Sequence, residues 1–181
     1  KYTDQIQTEN KNDFTKNLKI IAKQIKLIEN LVNEFSDFAR MPKPILKNNN
    51  LVLIIKDNIN LLKEVDKKID IELYFNKDII LLNSDNEQLS RVFLNLIKNS
   101  IESIQEKNFN INDFKGKINL EISDNYNYIE FIIIDNGIGF GNLKNDIKNI
   151  LNPYFTTKEK GTGLGLAIVN KIINDHNGTI N

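Results

Sequence analysis

A heptad seam stops at a pair of prolines, and that boundary divides the chain into two unlike parts. Phe14, Leu18, Ile21, Ile25, Ile28, Val32, Phe35 and Ala39 recur at alternating spacings of four and three, with polar residues between them. Such spacing places the apolar side chains on one narrow stripe and predicts a single helix over residues 12–40. A seam this long calls for a partner helix, and residues 1–11 are too few to supply one. A helical hairpin or dimeric bundle fits the seam better than a helix packed on its own domain. Met41-Pro42-Lys43-Pro44 then ends the helix, because each proline biases its predecessor to an extended conformation and cannot itself continue the turn.

Beyond that boundary the pattern is mixed α/β. Leu51 to Val65 reads as a helix. Ile69 to Phe75 alternates as a strand, and Ile79 to Leu82 reads as a short second one. Asp85 is placed to cap a long helix from Asn86 to about Lys107, with Glu87 in its first turn. Lys117 to Ser123 and Tyr128 to Asp135 read as strands around an Asp-Asn-Tyr-Asn turn. Asn142 to Lys160 is irregular and polar. Leu164 to Asp175 is a last helix, ended by Asn177-Gly178, and Thr179-Ile180-Asn181 reads as the start of another strand. The expected fold is an α/β sandwich, a mixed sheet covered on one face by helices 52–64, 86–107 and 164–175.

Composition excludes several kinds of chemistry. With no cysteine there are no disulfides, thiolate metal sites or cysteine nucleophiles. The single histidine, His176, excludes multi-histidine metal sites and leaves little room for a Ser-His-Asp triad. Lys+Arg and Asp+Glu both number 24, so the chain is not built for nonspecific binding to nucleic acid or to an anionic membrane. Its apolar runs, such as Ile129 to Ile134, are strand-sized, far short of a membrane span. The N-terminus has neither a signal peptide nor an initiator Met, which reads as a fragment of a longer chain.

Six of the eight glycines, Gly137, Gly139, Gly141, Gly161, Gly163 and Gly165, fall in one stretch of the C-terminal third. All but Gly141 belong to two of four motifs that follow in order. Asn95-Leu96-Ile97-Lys98-Asn99-Ser100 puts two asparagines on one face of the long helix, either a solvated face or a pair of hard oxygen ligands of the kind Mg²⁺ accepts. Asp135-Asn136-Gly137-Ile138-Gly139-Phe140 leaves an apolar strand. It is a plain Asn-Gly turn, or a buried carboxylate beside a backbone that a ligand approaches closely. Asn152-Pro153-Tyr154-Phe155-Thr156-Thr157-Lys158 combines aromatics, hydroxyls and a cation, as a lid over phosphate needs and as many exposed loops have. Gly161-Thr162-Gly163-Leu164-Gly165-Leu166 enters the last helix, where free N–H groups and the helix dipole favour an anion. It is not a Walker A loop, since no Gly-Lys-Ser/Thr follows, and with no strand before it, it is not a dinucleotide fingerprint.

In this order the four motifs resemble the N, G1, F and G2 boxes of the sensor histidine kinases, within the GHKL (Bergerat-fold, HATPase_c) ATP-binding superfamily. The resemblance covers about residues 50–181. It extends over residues 1–40 as part of a dimerisation and histidine-phosphotransfer hairpin, mostly its second helix, with 41–50 as linker. The join from Phe35 to Pro44 is similar to that of the NtrY-like nitrogen-regulation kinases. The resemblance implies ATP and Mg²⁺ as ligands and phosphoryl transfer to a histidine, then to a response-regulator aspartate. Asn99 would coordinate Mg²⁺ with Asn95 beside it, and Lys98 would contact phosphate. Asp135 would accept the adenine amino group, over a pocket floor shaped by Gly137 and Gly139. Phe155 would anchor the lid, and Thr156, Thr157 and Lys158 would approach the triphosphate. Gly161, Thr162, Gly163, Leu164, Gly165 and Leu166 would cradle the phosphates.

The resemblance also places the acceptor histidine in a helix before residue 1, gives His176 a structural position, and leaves the family's closing strands after Thr179 missing. The implied partners are a second copy, through the helical segment, and a cognate response regulator of NtrX-like type. Neither nucleic acid nor a membrane is an expected partner of these residues. They are expected to form a cytoplasmic domain of a parent held in the bacterial inner membrane. A GHKL ATPase of the gyrase, Hsp90 or MutL type is one rival, but those carry a glutamate base four residues before the metal-binding asparagine. Here that position is Asn95, which cannot take a proton from water. A protein-serine kinase of the anti-sigma-factor kind fits the heptad helix and proline hinge poorly. A dimerisation and docking module with an inactive pocket is the rival of another class.

Overall fold

The structure, a computed structural model, describes residues 2–63, 69–108, 114–140, 147–158 and 161–181. Helix α1 runs from Tyr2 to Ala39 and ends in the turn at Arg40, just before the prolines. It starts earlier than the seam alone indicated. From Phe14 to Phe35 every seam residue is exposed. A different stripe of the helix end meets the rest of the chain. Asp37 pairs with Arg91 at 3.0 Å, Glu34 accepts a hydrogen bond from the Thr162 hydroxyl, and Phe38 and Met41 pack into an apolar cluster. Glu34, Asp37 and Phe38 lie on the flank of α1 beside and behind the seam, and Met41 follows just past the helix end.

A three-stranded sheet is built from β2 (Ile69–Phe75), β4 (Gly116–Asp124) and β5 (Ile129–Asp135). The central strand β4 pairs parallel with β2 and antiparallel with β5, with Ile71 opposite Ile118 and Leu120 opposite Ile133. Alternation along β4 buries Ile118, Leu120 and Ile122 and leaves Lys117 and Glu121 outside. The buried face carries α2 (Leu51–Lys63) and α3 (Asn86–Asn108). Their Val52, Ile55, Ile59, Leu89, Phe93, Ile97, Ile101 and Ile104 complete the main core. Phe93 meets Phe131 edge-on at 4.9 Å between ring centres. Val65, expected in α2, lies outside the described residues, as do 142–146 and 159–160 of the polar loop. Ile147–Ile150 forms a short helix, α4.

Helix α5 (Gly165–Asp175) packs on α3 through Leu164, Ile168, Val169 and Ile172 against Val92 and Leu96, and Phe38 and Met41 close this second cluster. Two expectations change. The short strand is Leu81–Ser84 rather than Ile79–Leu82. Its register is set by β1 (Lys47–Asn50), an antiparallel partner inside the stretch read as linker, with Asn50 opposite Leu81 and Lys47 opposite Ser84. Thr179–Asn181 are exposed and form no strand, since a strand exists only through hydrogen bonds to a neighbour.

Candidate functional site

Helix α3 acts as a spine on which all four motifs assemble. At its start, Asp85 caps it. Asp85 Oδ1 accepts from the Gln88 N–H at 3.1 Å and Oδ2 from the Ile45 N–H at 2.8 Å. Partial burial pushes its carboxyl up, but the N–H groups of Ile45, Gln88 and Glu87 outweigh this and hold it below the usual carboxylate range. The Asp85 N–H donates to His176 Nε2 at 2.9 Å, while His176 Nδ1 lies 2.8 Å from the Ile172 carbonyl. With Nδ1 assigned the proton, both ring nitrogens are engaged, and His176 ties the end of α5 to the start of α3.

Nearly three turns further on, Asn95 is half-buried, and its Nδ2 donates to the Arg91 carbonyl at 2.9 Å. Its Oδ1 faces α5, 3.3 Å from where a Cβ on Gly165 would lie. The first turn of α5 has no side-chain cap, so its leading N–H groups are available to an anion. Buried Leu164 anchors the glycine loop, with Gly161, Thr162, Gly165 and Leu166 half-buried around it. Gly163 has φ +69°, and a Cβ on it would stand 2.5 Å from the Tyr154 carbonyl carbon. Only glycine fits there, and the contact fastens this loop to the aromatic motif, as does the Tyr154 N–H to Gly163 carbonyl bond of 3.0 Å.

The next turn of α3 presents Asn99, whose Oδ1 lies 3.4 Å from Lys158 Nζ. Lys98 is exposed beside it. Phe155 is half-buried, Thr156 and Thr157 are exposed, and Thr156 Oγ1 accepts from the Lys158 N–H at 3.1 Å. A further turn on, Ser103 approaches the loop after β5. Its hydroxyl donates to Asp135 Oδ1 at 3.3 Å, and the Gly137 N–H donates to the same oxygen at 2.9 Å. A Cβ on Gly137 would lie 2.1 Å from Ser103 Oγ, so this close approach needs glycine. Lys107 Nζ donates to the carbonyls of Asn136, at 2.7 Å, and Gly137. The Asn136 side chain accepts from the Lys117 N–H at 2.8 Å and donates to the Lys115 carbonyl at 3.0 Å. Gly139 faces open space at φ +66°.

The structure thus brings the glycine loop, the aromatic motif and the post-strand aspartate to successive turns of one helix face, in the order Asn95, Asn99, Ser103, Lys107. Sequence reading missed Glu102, Ser103, Lys107, Asn136 and Glu34. The first two stand seven and eight residues after Asn95, a helical spacing that would have found them. The carboxamide oxygens of Asn95 and Asn99 are hard ligands of the kind Mg²⁺ accepts, and it binds few protein ligands when phosphate oxygens complete its shell. Among the described residues no three of His, Asp and Glu gather into a metal cluster.

Residues 84–181, more than half of the chain, match the family of histidine kinase-, DNA gyrase B-, and HSP90-like ATPases. The chain belongs to this family. It is 34% identical over 170 residues to a putative sensor histidine kinase NtrY-like protein of Rickettsia prowazekii, across 94% of this chain and 27% of that relative. The chain therefore spans about a quarter of the relative's length. The nucleotide-free catalytic domain of histidine kinase ThkA superposes with a TM-score of 0.61 at 29% identity, over 72% of this chain and 81% of that one. A structure of ThkA in complex with the response regulator protein TrrA superposes with a TM-score of 0.68 at 24% identity, over 88% of this chain and 43% of that one, a likeness of fold. Among the described residues no helix is long and apolar enough to cross a membrane.

Proposed function

We propose that this chain is the ATP-binding catalytic part of a two-component sensor histidine kinase. The observation that carries the reading is the alignment of the four motifs along α3. From Ser103 to Asn95 the helix advances about 12 Å, and over that distance the surroundings change from a carboxylate and a close-packed glycine turn to carboxamides, a lysine and an uncapped helix start. A nucleoside triphosphate has the matching polarity, a base with an amino donor at one end and an anion at the other. In this reading the Asp135 oxygen not held by Gly137 accepts from the adenine amino group, and Gly137 and Gly139 form the pocket floor. Asn99, with Asn95 beside it, holds Mg²⁺, whose charge neutralises the phosphates. Lys98, Thr156, Thr157 and Lys158 contact the triphosphate under a lid anchored by Phe155. The loop from Gly161 to Leu166 offers its N–H groups to the phosphates. Phosphoryl transfer needs mainly positioning and charge neutralisation, which these groups supply.

The acceptor in this proposal is a histidine other than His176, whose ring nitrogens are both engaged in joining α5 to α3. Asn95 at the position of a hydrolase base favours transfer to protein over transfer to water. Residues 1–40 form part of a dimerisation and phosphotransfer hairpin, with the exposed seam as the face for a second copy. A response regulator is the onward partner, supported by the complex that ThkA makes with TrrA, and the parent protein is held in a membrane. Isothermal titration of ATP, with and without Mg²⁺, tests the reading. Saturable binding that Mg²⁺ strengthens and Asp135→Ala abolishes is expected. A folded chain that takes up no ATP would leave a docking module in its place.

A further inference from the structure

The lid lysine does not stand alone on α3. Lys158 Nζ lies 2.5 Å from Glu102 Oε2, in an ion pair whose side chains are 36% and 38% exposed, and the same ammonium reaches Asn99 Oδ1 at 3.4 Å. Glu102 follows Asn99 by three residues and Asn95 by seven, so all three side chains share one helix face. A carboxylate here competes with a triphosphate twice. It holds the cation the phosphates need, and it puts a like charge beside them.

We infer that Glu102 is a positioning residue that holds Lys158, and with it the lid, against α3 until the triphosphate displaces it. The inference deepens the nucleotide reading and rests on it. In the nucleotide-free chain, Glu102 keeps the Asn152–Lys158 turn over the carboxamides. There the Phe155 N–H donates to the Asn152 carbonyl at 3.3 Å and the Gly161 N–H to the Lys158 carbonyl at 3.1 Å. When a triphosphate arrives, the ammonium changes partner and the lid closes on the ligand rather than on the helix. Adenosine, which has no phosphate, leaves the Glu102–Lys158 pair intact.

Two measurements on wild type, Glu102→Gln, Lys158→Ala and the double variant test this. The first is amide hydrogen exchange without nucleotide. Glu102→Gln is close in shape and half-exposed, so the fold is kept, and exchange at Tyr154, Phe155 and Lys158 is expected to quicken about two- to fivefold, the range for a partly exposed ion pair. The second is titration with ATP and with adenosine. Glu102→Gln should tighten ATP by a similar factor and leave adenosine unchanged, and the gain should shrink in the Lys158→Ala background, a coupling that a merely structural glutamate would not show. Unchanged lid exchange, or weaker ATP binding, in Glu102→Gln overturns the inference while the nucleotide reading stands. Wild type that binds no ATP removes the nucleotide reading and this inference with it, even if lid exchange responds.

Discussion

Gly137 has no room for a side chain. A Cβ there would overlap Ser103 Oγ at 2.1 Å and the Ser103 carbonyl carbon at 2.6 Å. Gly137→Ala must therefore push the loop after β5 off α3, taking with it the N–H that orients Asp135. Overpacking of this kind costs about 1–3 kcal/mol. Urea denaturation should show that loss, and adenosine affinity should fall with it. Asp85 is the second residue with a defined consequence. Its folded-state carboxyl is depressed by backbone N–H groups acting against burial, so its contribution is present above the unfolded pKa and is lost as pH falls through the folded one. Asp85→Ala should cost about 0.5–2 kcal/mol at neutral pH. The gap from wild type should close as the pH drops below about 3.9, the ordinary value for an aspartate. Denaturation curves across that range check both statements.

At the scale of elements, α1 carries two faces with different tasks. Its final turns hold Arg91, Thr162 and the cluster around Leu164, while the seam from Phe14 to Phe35 stays open. In the proposed pairing of two copies through this seam, replacing Ile21 and Ile28 by Asp should leave only monomer in sedimentation where wild type gives dimer, with the unfolding of the sheet domain unchanged. A dimer that persists would move the self-association to another surface. The seam and the proline stop were legible in the sequence because helical spacing and proline sterics are local. Strand β1 was not, since Lys47-Asn48-Asn49-Asn50 is a poor strand former that pairs only because Leu81–Ser84 lies beside it. That pairing also moved the short strand two residues from where its apolar pattern put it. Residue types and order revealed the four motifs, but not the partners that hold them. Glu102 meets Lys158, and Ser103 meets Asp135, only once α3 is laid against loops 32 to 56 residues away.

For the whole molecule, α3 does two jobs with opposite faces. Leu89, Phe93, Ile97, Ile101 and Ile104 hold it in the main core, and Asn95, Asn99, Ser103 and Lys107 carry the motifs. Ile97 is fully buried, and Ile97→Ala should cost about 2–5 kcal/mol. Because the site is mounted on the same helix, ATP affinity should fall before the chain unfolds, seen by titration in low urea. The described chain also has an open cleft of about 340 Å³ between Phe38, Leu151, Pro153 and α5, which touches the aromatic motif only at Pro153 and none of the other three. Its carboxylate, Asp175, is paired with Lys171 at 3.0 Å, and although Asn170 and Asn174 line it, no glycine-rich backbone does, so α3 and not this cleft is the expected ligand face. Backbone amide NMR, titrating adenosine, then ADP, then ATP with Mg²⁺, distinguishes the two. Adenosine should shift the amides of Ser103 to Lys107 and Gly137 to Gly139, and ATP should add Asn95 to Asn99 and Gly161 to Leu166. Shifts gathered instead at Phe38, Leu151 and Asn170 to Asp175, or none at all, would contradict the placement of the nucleotide along α3.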